Sequence, residues 1–450
     1  KAFIDDNMAR FRRNQMRGKG QPKEDYGFYD ITAWSLPLAF GVDAWWTEES
    51  PNVQGAMVAA ETLAAAKRGS VTGRAAISYV IPYETDSTAA MVMRLQQNGY
   101  KVAVATRQLN AGGRNWPAGT FVVRVSRNPD SIHEKIAQFS REMGVNVTAI
   151  NSGFSDEGDT AVGGEAVISL REPKITIAAD EGVTQESYGS IWWTFDKYGI
   201  KFTPMTIGNI KGGGLKGYNV LILPEGSAGR YMSSFGAGGV SALKEFAGDG
   251  GTIVTISGAS VFATLKDVGL SSSKMVGSED DEQKGKVPDD AKPTPSPMPE
   301  STPTAELKSD KNDGFPSLPA IVSPSANMNR VPEALPGAIF RATVDRTTYI
   351  NYGVNKDEIP VLIASAYFFR YSKEGTNALV FDAAPKKPLT VSGFVWEGNT
   401  ERLLKWSSYV IDESVGGGHV VMFAEDPFFR GMTRSTTRQF FNAITFNGVF

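Results

Sequence analysis

Twice along this 450-residue chain, short apolar runs alternate with amphipathic stretches in the same order. That alternation constrains the fold more than any other feature. Short β-branched and apolar runs bounded by turn residues read as buried strands, and apolar residues at a 3.6-residue period read as helices. In the first copy RAAISYVI (74–81) is a strand and STAAMVMRLQQNGY (87–100) a helix opened by Ser87 and stopped at Gly99. KVAVA (101–105) and GTFVVRV (119–125) are strands, DSIHEKIAQFSREMG (130–144) is a capped helix, and VNVTAI (145–150) closes the unit. The second copy runs KITIAAD (174–180), ESYGSIWWTFDKYGI (186–200), KFTPM (201–205), YNVLILP (218–224), GGVSALKEFAGDGG (238–251) and TIVTIS (252–257). Two β-α-β-β-α-β units in tandem predict an α/β fold. The expectation is tandem flavodoxin-like three-layer domains, with mostly parallel sheets and helices on both faces.

Composition shifts divide the chain. Residues 1–55 form an N-terminal arm: a basic helix-like start, then YDITAWSLPLAFGVDAWW. Residues 56–168 make a small α/β domain and 169–450 a larger one. Within the latter, 271–318 is rich in Pro, Ser, Thr and charge, with few apolar anchors. Such a segment cannot bury enough surface to offset its ordering entropy, so it is expected to be a disordered insertion. Globular patterning resumes at PGAIFRATVD (336–345), and GGGHVVMFAEDP (416–427) with STTRQFFNAITF (435–446) would complete the sheet opened at Lys174.

The bulk numbers exclude several classes. Net charge is −3, with 46 Lys and Arg against 49 Asp and Glu, so there is no basic footprint for nucleic acid. The cluster RFRRNQMRGKG (10–20) reads as a solvated helix face. With no cysteine, disulfides, thiolate metal sites and a Cys nucleophile are all excluded. No apolar run approaches the ~20 residues of a membrane helix.

Candidate chemistry is sparse. The only two histidines are His133 and His419. HEKIA lacks the second His of HExxH, so His133 reads as a surface residue, and no metal site is expected in this chain. GGTIVTISGASVFAT (250–264) has the shape of a strand-to-helix elbow that holds a nucleophile on a strained turn. Its apex falls at Ser257, Ala259 or Ser260. A triad would need Ser257 or Ser260 as nucleophile, His419 as base, and Asp426 or Glu425 behind it. The alternative is that these serines cap the following helix. Open α/β sheets bind ligands beyond the carboxyl ends of their strands. Glu225, Ser227 and Arg230 after YNVLILP, and Arg430 in DPFFR after the last strand, are therefore candidate binding residues for peptide or sugar.

YDITAWSLPLAFGV (29–42) resembles a stretch found after the catalytic domain in large bacterial proteins of the zinc carboxypeptidase family. PAGTFVVRV, REPKITIAADEG, YNVLILPEG, LKEFAGDGGTIVTISGAS, PGAIFRATVD and GGGHVVMFAEDPFFRGMTRSTTRQFFNAI are similar to the downstream half of those proteins. The resemblance spans nearly the whole chain. It implies a peptidase domain upstream, with its zinc on two His and a Glu, and no zinc or other cofactor here. The later part is similar to the class I glutamine amidotransferase fold, in which the elbow carries Cys and a late His-Pro-Glu completes the triad. Here the elbow reads Ser257-Gly258-Ala259-Ser260 and the late strand ends Phe423-Ala424-Glu425-Asp426, so both positions have departed. The resemblance therefore implies a non-catalytic accessory region of an exported protein, secreted or periplasmic, with a signal peptide expected upstream. Its implied partners are the peptidase domain of the same parent, and peptide or cell-wall material.

Overall fold

The computed structural model describes residues 1–450 apart from 18–20, 31, 51, 53, 157, 159, 181, 279–280, 282–329 and 383. The fold is α/β, built on two large sheets.

The first sheet has the strand order Val71–Thr72, Val147–Ile150, Ser78–Ile81, Phe121–Arg124, Ala103–Ala105, Val167–Ser169. Its β-α-β-β-α-β order along the chain is the expected one, but the pairing differs from the parallel arrangement expected. Ser78–Ile81 lies antiparallel to both of its neighbours, and Phe121–Arg124 antiparallel to Ala103–Ala105. Only the short edge strand Val71–Thr72 pairs in parallel, with Val147 and Thr148. The reason is topological. The crossover through helix Asp86–Gln97 skips one place in the sheet, and Phe121–Arg124 fills the gap in the opposite direction, giving a split β-α-β arrangement. Strand alternation sends Tyr79, Ile81, Phe121 and Val123 into the core shared with helices Asp86–Gln97 and Ile132–Met143. Val80 and Val122 go instead to a second cluster with Leu109 and Trp116 of the hairpin Leu109–Ala111/Arg114–Trp116. A hairpin, not a helix layer, thus covers that face.

The second sheet runs Thr203–Met205, Ile175–Ala178, Val220–Leu223, Thr252–Ile256, Gly418–Phe423, Ser407–Val415, Thr376–Phe381, Ala338–Val344, Glu358–Ile363. The first five strands are parallel. From Gly418–Phe423 onward every pairing is antiparallel. The parallel strands are continuous apolar runs because both faces are covered: Val220, Leu221, Ile222 and Leu223 are all buried, as is all of Thr252–Ile256. The helices Gln185–Tyr198, Ala228–Gly248 and Thr437–Thr445 supply Ile191, Phe195, Leu243, Phe440 and Ile444 to that core.

Of the segment expected to be a disordered insertion, residues 271–278 and Asp281 are packed. Ser271 and Ser272 donate to the Glu413 carboxylate, Val276 is buried, and Asp281 pairs with Arg370 at 3.2 Å. Two serine hydroxyls on the Glu413 carboxylate and a buried ion pair anchor what composition alone marked as unanchored. The rest of that segment lies outside the described residues.

The arm divides in two. Helix Ala2–Met16 stacks Phe11 on Trp396 at 4.8 Å, and Thr32 donates to the Gly337 carbonyl while accepting from the Phe394 amide. Beyond Phe40 the described residues of the arm are mostly exposed, Trp45 and Trp46 among them.

Candidate functional site

Three parallel strands of the second sheet end side by side, and their ends gather the site. Register pairs Leu223 with Thr255 and Ile256 with Phe423. Glu225 is two residues past Leu223, Ser257 one past Ile256, and Glu425 and Asp426 two and three past Phe423. All four therefore meet at the carboxyl edge of the sheet.

Ser257 is the apex of the elbow. Its backbone stands at φ 53°, ψ −116°, a region that non-glycine residues seldom adopt. Holding a residue there costs on the order of 1–3 kcal/mol. Hydrogen bonds on both sides hold it. Its amide donates to the Phe423 carbonyl at 2.9 Å, and its carbonyl accepts from Ser260 and Val261 at 2.9 and 3.1 Å. The turn also needs close backbone approach. A Cβ at Gly258 would stand 1.9 Å from the Gly226 carbonyl oxygen, and one at Gly226 would stand 2.3 Å from that of Gly182. Glycines at 226 and 258 thus let the loop carrying Glu225 touch the elbow.

Around Ser257 the electrostatics are acidic. Glu425 is enclosed; one carboxylate oxygen accepts from the Ala364 amide at 2.9 Å and the other from the Asp426 amide at 3.2 Å. Burial pushes its carboxyl up to about 7, with the neighbouring Glu225 charge adding to the shift against those amides and the Ser365 hydroxyl. Asp426 accepts from the Phe428 amide at 2.7 Å. Burial raises it likewise to about 7, opposed by the Phe428 amide and the Ser187 hydroxyl. Glu225 is half-buried, and burial raises it too, offset by the facing Ser257 hydroxyl. The Ser257 oxygen is fully enclosed and makes no well-formed hydrogen bond, so its approach to Glu225 is an electrostatic contact rather than a closed bond. No ion pair within 4 Å joins Glu225, Glu425 or Asp426 to a described cationic side chain.

The proposed triad does not assemble. His419 pairs with Thr252, at the opposite end of the strand that leads to Ser257. Four residues separate it from Phe423, roughly 13 Å at the usual rise per residue. There its ring lies 3.0 Å from Asp412 and 2.6 Å from the Phe450 carbonyl oxygen. Burial disfavours its charged form, but Asp412 and that carbonyl outweigh it and its pKa rises. His133 is also not the surface residue expected: it is buried, with Nδ1 2.8 Å from the Tyr79 hydroxyl in the first unit.

The remaining candidates separate. Ser260 is buried in a structural role, donating to the Phe423 carbonyl at 2.8 Å with Thr255 Oγ1 at 2.9 Å. Ser227 is exposed at the N-cap of Ala228–Gly248, and Arg230 is exposed on its first turn. Arg430 turns away, pairing with Asp30 at 2.9 Å and lying over Trp34, so it ties the arm down. Of the residues expected to bind, Glu225 is the one that faces the elbow. Ser187, Ser365 and Tyr367, which complete the surround, carried no sequence signal. They come from the start of a helix and from a loop whose path depends on the antiparallel half of the sheet. Among the described residues no group of three His, Cys, Asp or Glu side chains is arranged to hold a metal ion, so this site does not fit a catalytic zinc. No described helix is long and apolar enough to cross a membrane.

No protein-family model matches the chain, and no curated protein matches it. Solved structures similar to it match at low identity. A protein from Thermoplasma acidophilum assigned as part of GMP synthase is 12% identical, with a TM-score of 0.35 over 60% of this chain and 92% of that one. A cytoplasmic protein from Salmonella typhimurium is 9% identical, with a TM-score of 0.32 over 60% and 97%. The β-galactosidase from Bacillus circulans sp. alkalophilus is 10% identical, with a TM-score of 0.28 over 59% of this chain and 30% of that one. At these values the likenesses decide nothing about the chemistry of the site.

Proposed function

We propose that this chain is a non-catalytic accessory scaffold of an exported zinc metallocarboxypeptidase-like protein, and that it docks the peptidase domain of the same parent. The observation that carries the reading is the elbow itself. The strained turn retains a hydroxyl at Ser257, yet both histidines of the chain bond elsewhere, and carboxyl groups occupy the surround. A serine needs a positioned base to attack, and general-base efficiency at neutral pH is what an imidazole supplies. Docking is supported by the arm, where the adjacent Trp45 and Trp46 are 87% and 82% exposed. A run of large apolar side chains in water marks a contact surface.

A fluorophosphonate probe tests the non-catalytic half. Ser257 is expected to remain unlabelled; stoichiometric labelling that disappears in Ser257→Ala would overturn the reading. The docking half is tested with the peptidase domain encoded by the same reading frame. Trp45→Ser with Trp46→Ser is expected to weaken its association at least about tenfold, since buried tryptophans dominate such interfaces. Unchanged association in that double variant would remove the arm from the interface.

A further inference from the structure

We infer that a cavity beside Trp406, in the antiparallel half of the second sheet, binds the flat face of a pyranose sugar with equatorial hydroxyls. Trp406 lies between helix Thr400–Leu404 and strand Ser407–Val415, with φ 62°. The left-handed residue that follows a helix is ordinarily glycine, and a bulky aromatic seldom adopts that conformation. Here the chain keeps an indole at that position, and the residue is 45% exposed. Its amide donates to the Phe381 carbonyl at 3.2 Å, and the Tyr371 hydroxyl donates to the same carbonyl at 3.0 Å. One acceptor thus fixes two aromatic residues, whose rings meet edge to face at 6.1 Å. Strand register explains the meeting. Ser407, next after Trp406, pairs with both Phe381 and Arg370, and Tyr371 follows Arg370.

The two rings border a cavity of about 460 Å³, a size typical of small-molecule sites. The rest of its lining is polar. Arg370 and Asp281 form a buried pair through Nε and Nη2, which leaves the Arg370 Nη1 donors unused by any described residue. Lys274 and Glu374 also line the cavity, and neither side chain bonds to a described residue. Donors and an acceptor of opposite charge beside an aromatic face decide the ligand class. A pyranose with equatorial hydroxyls presents axial C–H bonds on its faces and hydroxyls around its rim. Its face stacks on an aromatic ring while each hydroxyl can both donate and accept. An anion would meet Glu374 and a cation would meet Lys274, whereas a neutral sugar uses both. An aliphatic ligand would desolvate these polar groups without pairing them.

Such pyranoses come from two sources, plain glucans and N-acetylated amino-sugar chains. Calorimetric titration of the whole chain with cellobiose, with diacetylchitobiose and with sorbitol separates them, since sorbitol carries the hydroxyls without a ring face. At least one disaccharide is expected to bind at least about tenfold more tightly than sorbitol, and whichever binds identifies the source. Trp406→Gly removes the platform while suiting the backbone, so the fold should hold and the preference should fall at least about tenfold. Circular dichroism checks the fold, and Trp406→Asn, which also tolerates the left-handed region, replaces a Trp406→Gly that does not fold. Glu374→Gln, which keeps an acceptor but loses its charge, is expected to lower the preference about threefold. Equal binding of the disaccharides and sorbitol, or a preference unchanged in the folded Trp406 variant, would each overturn the inference. No residue of the arm and none around Ser257 lines this cavity, so its failure is distinguishable from failure of the docking proposal.

Discussion

At the scale of single residues, the elbow holds two opposed features. Ser257 occupies a backbone region that suits glycine, while Gly258 occupies a space that only glycine fits. Their substitutions should move stability in opposite directions. Ser257→Gly relieves the backbone and forfeits little, because the enclosed hydroxyl makes no well-formed bond. It is expected to raise unfolding free energy by about 1 kcal/mol, read from urea denaturation. Gly258→Ala drives a methyl into the Gly226 carbonyl, and neither backbone can yield without parting the two strand ends. A loss of about 2–3 kcal/mol is expected. If Gly258→Ala left stability unchanged, the close approach between the two loops would be wrong. The sequence showed the elbow's existence through TIVTI followed by Ser-Gly-Ala-Ser. It left the apex open among three residues, because φ is set by the Phe423 hydrogen bond from a strand far along the chain.

At the scale of elements, the acidic strand ends predict how stability follows pH. Glu425 and Asp426 have folded values of about 7, above the ordinary 4.5 and 3.8, and burial is the main cause. The groups facing them are Glu225, Tyr409, the amides of Ala364 and Phe428, and the hydroxyls of Ser187 and Ser365. A raised carboxyl binds its proton more tightly in the native state. Its contribution is therefore fully present below the unfolded value and is lost as pH rises through the folded one. Stability should fall from about pH 4 to about pH 8 as the two carboxyls ionise, by on the order of 3–4 kcal/mol for each. His419, also raised, adds a slope of the same sign. The diagnostic is thus the difference between the wild type and Asp426→Asn, which keeps the acceptor for Phe428 and removes one titrating group. Its urea midpoint should depend roughly half as steeply on pH over that window. Parallel profiles would remove Asp426 from the titration. The sequence made the strands and most helices legible because their periodicity is local. Strand direction in the first sheet was not legible, since a split crossover and a parallel one use the same β-α-β-β-α-β order. His419 failed as a base for a related reason: it enters the right strand, but at the wrong end.

At the scale of the whole molecule, the question is whether the two sheets melt together. Their junction is the terminal helix Thr437–Thr445 against helix Asp86–Gln97 and the loops around it. Asn442 lies at its centre. Its side-chain oxygen accepts from the Tyr83 hydroxyl at 2.7 Å, and its nitrogen donates to the carbonyls of Ile350 and Tyr352, each at 2.9 Å. Phe121 of the first sheet stacks on Phe446 at 5.8 Å, and Arg438 pairs with Asp86 at 3.3 Å while donating to the Glu84 carbonyl. A junction that is stacked, buried and hydrogen-bonded couples its two sides, so the wild type should unfold in one transition by calorimetry. Asn442→Ala would strand one buried hydroxyl and two buried carbonyls, at about 1–3 kcal/mol for each group left unpaired. The bond to Tyr83 crosses from the first unit to the second, while those to Ile350 and Tyr352 brace the terminal helix within the second, so the substitution both cuts a cross-junction bond and loosens the helix that makes the junction. Asn442→Ala is expected to lower the melting temperature and to separate the transition into two, with Tyr83→Phe causing a smaller shift because it removes one donor and leaves the two carbonyls satisfied. A single sharp transition in Asn442→Ala at the wild-type temperature would show that the junction contributes nothing to cooperativity, and that the two sheets are coupled elsewhere.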